Sequence, residues 1–137
     1  HLVIVDTDVD RARALADNLN GIYGAGRVEA STDVAAALNG ATGLINATPI
    51  GMAKLPGMPL PKELLRPSLW VADVVYFPIE TELLKAARAA GCATMDGGEM
   101  AVGQAVGAFK LFTGLEADPA RMGAHLRRML NERQAAS

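Results

Sequence analysis

Short continuous apolar runs alternate along this chain with stretches whose apolar residues recur every three to four positions, and this alternation restricts the fold more than any other feature. Such runs fit strands buried on both faces of a parallel sheet, and the helical stretches fit crossovers between them. Leu2-Val3-Ile4-Val5 is the first run and ends at Asp6. Asp10 is then a candidate N-cap for a helix with Ala12, Leu15, Ala16 and Leu19 on its buried side and Gly21 as its stop. A weaker cycle follows, with a strand over Arg27 to Ala30, a cap at Ser31, and Val34, Ala37 and Leu38 as a short buried stripe. Gly43 to Asn46 is a third strand.

Pro49 to Pro67 contains Pro56, Pro59 and Pro61, which remove backbone donors and forbid long regular structure, so an irregular loop is expected there. Leu69 to Val75 reads as a fourth strand. Glu80 to Ala90 reads as a helix with Leu83, Leu84 and Ala87 inward and Gly91 at its end, and Cys92 to Met95 as a fifth strand. A long helix is expected from Gly98 to Thr113. Asp118 and Pro119 then form an N-cap and first-turn pair for a last helix bearing Met122, Leu126, Met129 and Leu130. Glu132 to Ser137 carries no large apolar side chain and is expected to fray.

Strands alternating with helices predict right-handed βαβ units, and hence an α/β, doubly wound parallel sheet with helices on both faces plus a C-terminal helix. Half of the residues are hydrophobic, a fifth are charged and the net charge is −2, a globular composition. Thirteen basic residues are scattered and outnumbered by 15 acidic ones, so no nucleic-acid surface is expected. No apolar run is long enough for a membrane span, and His1 opens directly into a strand, so neither an anchor nor a signal peptide is expected. The single Cys92 cannot form an intrachain disulfide; it reads as a small buried hydrophobe, and a cytoplasmic setting is the default. His1 and His125 are too isolated to suggest a metal site.

In a doubly wound fold, ligands lie beyond the carboxyl ends of the strands. Asp6, Asn46 to Pro49, Tyr76 to Pro78, and Asp96 with Gly97 occupy those positions. Gly97 and Gly98 at a strand-to-helix junction let a flat ring approach the main chain, which a Cβ would block. Met100 and Gln104 lie one turn apart on one helical face, so an apolar surface and an amide can meet in one pocket. Taken singly, Met100 reads first as a core filler, an order that its pairing with Gln104 and the Gly97 turn reverses, while Gln104 is equally a solvated helix residue and Tyr76 a half-buried core ring. Gly103 and Gly107 form a small-residue face that suggests close helix packing. Gly24-Ala25-Gly26 lies between a helix and a strand, the reverse of the order a phosphate loop needs.

Three linked motifs, Asn46-Ala47-Thr48-Pro49-Ile50-Gly51-Met52, Asp73-Val74-Val75-Tyr76, and Asp96-Gly97 with Met100 and Gln104, resemble the shikimate/quinate dehydrogenase family in order and spacing. The resemblance runs from about Leu2 to Met122, and Phe109 through Thr113-Gly114 is also similar to that family. It implies that residues 1–116 are a partial Rossmann-like dinucleotide-binding domain lacking its first strand and Gly-rich loop, that 117–137 is a C-terminal helix, and that an N-terminal substrate domain is absent from the chain. The resemblance further implies that Asn46, Ala47, Thr48, Pro49, Val74, Gly97 and Met100 line the nicotinamide end of a cofactor, while Tyr76 and Gln104 touch the hydroxyls of shikimate or quinate. No catalytic residue carries over. The family's base is a Lys with a neighbouring Asp in the substrate domain, and Lys54, Lys62, Lys85 and Lys110 match neither its motif nor its place. The implied reaction is reversible hydride transfer between nicotinamide and a ring alcohol, taking shikimate to 3-dehydroshikimate or quinate to 3-dehydroquinate, with the fragment alone inactive. Any homodimer would form through the missing domain, and the choice between quinate and shikimate is left open.

An acidic residue at the end of the second strand of a dinucleotide fold accepts hydrogen bonds from the adenosine ribose and repels a 2′-phosphate. Family members that use NADP usually carry an Asn-Arg pair where this chain has Asp6-Thr7-Asp8, so NAD is expected in preference to NADP. Arg11, one turn along, either helps fix the ribose and the Asp6 carboxylate or forms a solvated ion pair. Two other readings remain: a dehydrogenase-like regulatory protein that kept the cofactor site without catalysis, and a phospho-signalling receiver domain suggested by Asp6 and Asp8. The receiver reading needs an Asp at the end of the third strand, where Asn46-Ala47-Thr48-Pro49 stands.

Overall fold

In the computed structural model, which describes residues 1–135, the chain forms two compact units, His1–Ala41 and the residues from Thr42 onward. In the first unit, strands β1 (Leu2–Val5) and β2 (Val28–Ser31) pair in parallel, Leu2 opposite Val28 and Val5 opposite Ser31, with helix α1 (Val9–Tyr23) as the crossover. Asp8, not Asp10, caps α1, its carboxylate accepting from the Asp10 and Arg11 amides at 3.1 Å each. The helix also runs past Gly21 to end at Gly24, whose φ of 101° suits glycine. Asn20 explains the longer helix. Its side chain donates to the Val28 carbonyl at 2.8 Å and accepts from the Arg27 and Val28 amides, pinning the last turn of α1 to β2. Ala12 and Ala16 are buried, but Leu15 is exposed, so the buried face of α1 is narrower than the sequence pattern suggested. Helix α2 (Val34–Leu38) is capped by Asp33 rather than Ser31, because β2 continues through Ser31.

The second unit is built on strands β3 (Gly43–Asn46), β4 (Trp70–Asp73) and β5 (Ala93–Met95), all parallel in the order β3-β4-β5. Gly43 lies opposite Trp70 and Asn46 opposite Asp73, while Ala72 lies opposite Met95. The strand orders within the two sheets are those of a doubly wound fold, and the Rossmann-like class is realised. β4 is the central strand, with Val71, Ala72 and Asp73 at 0 to 2% exposure. By contrast β1 and β3, read from sequence as buried on both faces, are half-exposed, each pairing with a single neighbour among the described residues. β4 is shorter than the expected Leu69 to Val75 because its ladder gives way at Asp73, whose own carboxylate takes the Val75 amide at 3.0 Å.

The proline-rich segment has no long element: it holds a single bridge between Met52 and Leu55 and a 3₁₀ turn at Lys62–Leu64. Helix α3 (Glu82–Ala89) starts two residues later than expected, at a Thr81 cap, and buries Leu83, Leu84 and Ala87 against the sheet. Cys92 is buried, its thiol 3.2 Å from the Arg66 carbonyl. Helix α4 (Gly97–Thr113) begins one residue earlier than expected, with Asp96 accepting the Glu99 amide at 2.8 Å. Helix α5 (Pro119–Ala135) is capped by Asp118, as its sequence predicts, and packs along α4. Leu130 is buried there and Met129 exposed. The frayed tail expected from Glu132 is instead helical through Ala135; Ala136 and Ser137 lie outside the described residues.

Gly103 and Gly107 do not make the close helix contact expected of them. Both are exposed, and a Cβ on either would meet nothing within 4 Å. The α4–α5 contact uses another face, where a Cβ on Gly123 would lie 3.8 Å from Val102 Cγ2.

Candidate functional site

The carboxyl ends of β3 and β4 meet in a buried polar cluster. Asn46 is 3% exposed, and its amide nitrogen donates to Asp73 Oδ1 and to the Ile50 carbonyl, both at 3.0 Å. Its amide oxygen accepts from the Thr48 hydroxyl at 2.7 Å and the Thr48 amide at 3.1 Å, and the Thr48 hydroxyl accepts from the Ile50 amide at 3.2 Å. The segment Asn46 to Ile50 is therefore a turn wrapped around one side-chain amide. Because that amide is spent inside the fold, Asn46 can offer a ligand only its main chain, whereas Ala47 and Pro49 are exposed and Thr48 is half-buried.

Gly97 belongs to the same end of the sheet. A Cβ there would lie 2.5 Å from the Val75 carbonyl oxygen and 2.7 Å from that of Val74, far inside van der Waals contact. The space beside Gly97 is filled by the protein's own main chain rather than left for a ring, so the glycine is needed first to let α4 start against the exit of β4. The result is that Val74 and Gly97 are brought together, as the motifs anticipated. The loop after β4 is tied to the loop after β3 by the Ala53 amide, which donates to the Phe77 carbonyl at 3.3 Å, and the Arg133 guanidinium lies 5.0 Å over the Phe77 ring.

Tyr76 and Gln104 are both exposed and Met100 is half-buried. Met100, Gln104, Gly107 and Leu111 fall on one side of α4 by helical spacing, and among the described residues that side stays open to solvent, Leu111 at 86% exposure.

In the first unit, Asp6 follows β1 and stands just before the Asp8 cap. Its Oδ1 accepts the Asp8 amide at 2.9 Å, and its Oδ2 faces Arg11 Nη1 at 3.7 Å. The Asp8 amide, with Arg11 and Thr7 adding to it, holds the Asp6 carboxyl below the ordinary value of 3.8. Arg11 is 73% exposed and also lies 3.8 Å from Asp8, so the pair is solvated and Oδ2 keeps acceptor capacity for a hydroxyl.

Two residues of the cluster carry roles that the sequence reading had not assigned. Asp73 stood inside a motif with no function of its own, and Thr81 stood inside the expected helix. The available signal was a threonine directly before Glu82 and the Leu83, Leu84, Ala87 stripe, an N-cap pattern.

Two parallel α/β units, the first with an acidic residue following β1 and the second with a glycine at its last strand-to-helix junction, are of the Rossmann-like nucleotide-binding class. No protein-family model matches the chain. It is 56% identical over 128 residues to the shikimate dehydrogenase (NADP(+)) of Streptomyces avermitilis, covering 92% of this chain and 44% of that protein. It is 51% identical over 125 residues to the quinate/shikimate dehydrogenase (NAD(+)) of Corynebacterium efficiens, covering 90% of this chain and 44% of that protein. Its structure is similar to quinate dehydrogenase from Corynebacterium glutamicum in complex with NAD, with a TM-score of 0.83 and 49% identity over 89% of this chain and 44% of that one. The chain belongs to the shikimate/quinate dehydrogenase family. It spans less than half the length of these relatives. Among the described residues no helix is long and apolar enough to cross a membrane.

Proposed function

We propose that this chain is part of a dehydrogenase that moves hydride between a nicotinamide cofactor and a ring hydroxyl of shikimate or quinate, with NAD preferred to NADP. The family membership supports the reaction class, and Asp6 is the observation that carries the cofactor preference. Its carboxylate is held ionised at the end of β1, one oxygen kept in place by the Asp8 amide, and a 2′-phosphate beside it would meet a like charge. Relatives named for NAD and for NADP are both about half identical to the chain, so the support for NAD comes from the local chemistry at Asp6.

In this reading residues 1–116 are the dinucleotide-binding part and 117–137 the C-terminal helix. The main chain at Asn46, Val74 and Gly97, with Ala47, Thr48, Pro49 and Met100, lines the nicotinamide. Asp6, with Arg11 beside it, takes the ribose; Tyr76 and Gln104 hold substrate hydroxyls. Bound nicotinamide supplies the hydride acceptor. Removal of the hydroxyl proton is assigned to a Lys and Asp outside these residues, as the family resemblance implies, since none of Lys54, Lys62, Lys85 and Lys110 lies in a matching motif. The test is titration of the intact protein with NAD and NADP, followed by turnover of quinate and shikimate. Tighter binding of NADP would overturn the reading of Asp6. NAD binding without turnover of either acid would favour the regulatory alternative. The receiver reading falls on Asn46, which stands where the phosphoacceptor carboxylate would be and is buried.

A further inference from the structure

Thr81 lies outside the motifs that mark the cofactor side of the sheet, yet it is 1% exposed and joined to them by an unbroken series of hydrogen bonds. Its Oγ1 accepts the Leu84 amide at 3.2 Å as the cap of α3, and at 2.7 Å it donates to Asp73 Oδ2. The capping bond occupies an acceptor site, which leaves the single hydroxyl proton directed at Asp73. Asp73, 0% exposed, accepts on its other oxygen from the Val75 amide and from Asn46 Nδ2, each at 3.0 Å. Asn46 spends its second amide proton on the Ile50 carbonyl and its oxygen on Thr48. Donors and acceptors thus run in one direction, and a flipped Asn46 amide would set its oxygen against the Asp73 carboxylate.

The methyl of Thr81 lies on the side of the same turn that a side chain on Gly51 would face. Gly51 has a φ of 104°, and a Cβ placed there would stand 3.4 Å from Thr81 Cγ2. Thr81 is therefore linked to the Asn46 end of the turn through its hydroxyl, by way of Asp73, and its methyl occupies the space a side chain on Gly51 would face.

We propose that Thr81 is a positioning residue for the cofactor: by orienting Asp73 and Asn46 it sets the shape of the turn presenting Ala47, Thr48 and Pro49, and couples that turn to the start of α3. The proposal rests on the reading that this turn faces nicotinamide. A cap alone would stabilise α3 and leave cofactor affinity untouched. A relay transmits the loss of one hydroxyl to the turn, while the ring-acid contacts at Tyr76 and Gln104 stay as they were.

The test uses the intact protein with Thr81→Val, which keeps the shape and removes the hydroxyl, and Thr81→Ser, which keeps the hydroxyl. Thr81→Val is expected to raise the Kd and KM for NAD roughly tenfold, the scale of a lost hydrogen bond to a charged group, with KM for the ring acid within about twofold of wild type. Thr81→Ser should recover most of the NAD affinity. A lower Tm with unchanged NAD Kd and KM in Thr81→Val would reduce Thr81 to a structural cap and overturn the proposal. Should Thr81→Val not fold, hydrogen exchange on the wild type decides: NAD is expected to slow exchange at the Leu84 and Ile50 amides by similar factors, and protection of Ile50 alone overturns the coupling. Wild type that binds neither NAD nor NADP sinks the functional reading itself, an outcome distinct from a bound wild type with an indifferent Thr81→Val.

Discussion

In the proposed function the choice of cofactor rests on Asp6, a side chain that is not buried. The Asp8 amide and then Arg11 lower its pKa below 3.8, so the charge is fully present above that value and any stability tied to it is lost only as pH falls through the lower, folded pKa. Ribose recognition by Asp6 should consequently be flat with pH: NAD affinity of the intact protein measured from about pH 5 to about pH 8 should show no titration assignable to this group. A rise in NAD affinity as pH climbs through 5 to 6, abolished by Asp6→Asn, would contradict the assignment. Gln104 makes a separate prediction. It is exposed on the open side of α4, and if it meets a substrate hydroxyl as proposed, Gln104→Ala should raise KM for the ring acid roughly five- to tenfold while leaving NAD affinity nearly unchanged. An unaffected KM would remove it from the site.

At the scale of elements, glycines that look alike in the sequence do opposite things. Gly97→Ala would drive a Cβ to 2.5 Å from the Val75 carbonyl, so it should destabilise the intact protein by about 1–3 kcal/mol and weaken NAD binding as Val74 shifts. Gly123→Ala on α5 meets Val102 and Arg127 only at ordinary contact distance and should stabilise by about 1 kcal/mol through helix propensity. Thermal unfolding of the two variants checks both signs. Strand identities and parallel order were legible because continuous apolar runs leave few alternatives. Cap positions were not: Asp8 and Asp10, or Ser31 and Asp33, are equivalent in propensity, and the choice is made by where the preceding strand releases the chain. Likewise Gly21 was a plausible stop until Asn20 reached across to Val28, a contact no local pattern reveals. The motifs at Asn46, Val74 and Gly97 did mark residues that gather at the carboxyl end of the β3-β4-β5 sheet. What they hid was that Asn46 looks inward and that Asp73 and Thr81 hold it, since burial and side-chain direction belong to tertiary structure.

For the whole molecule, the weak point is the first unit. His1–Ala41 has two paired strands and one substantial helix, and its only buried apolar side chains are Ala12, Ala16, Val28 and Leu38. A two-stranded sheet is marginal in water, and units of about 40 residues rarely fold unaided without disulfides, metals or partners. The second unit has a three-stranded sheet whose central strand is buried from Val71 to Asp73, with Leu69, Leu83 and Leu84 packed at 0 to 1% exposure. These 137 residues expressed by themselves should therefore lack a single sharp cooperative melt. Amides of β1 and β2 should exchange within the dead time of the measurement while those of β4 stay protected, and light scattering should grow with concentration as the one-sided edges of β1 and β3 find other copies. A sharp melt with β1 and β4 amides equally protected would show that the first unit is stabilised by more than its own contacts.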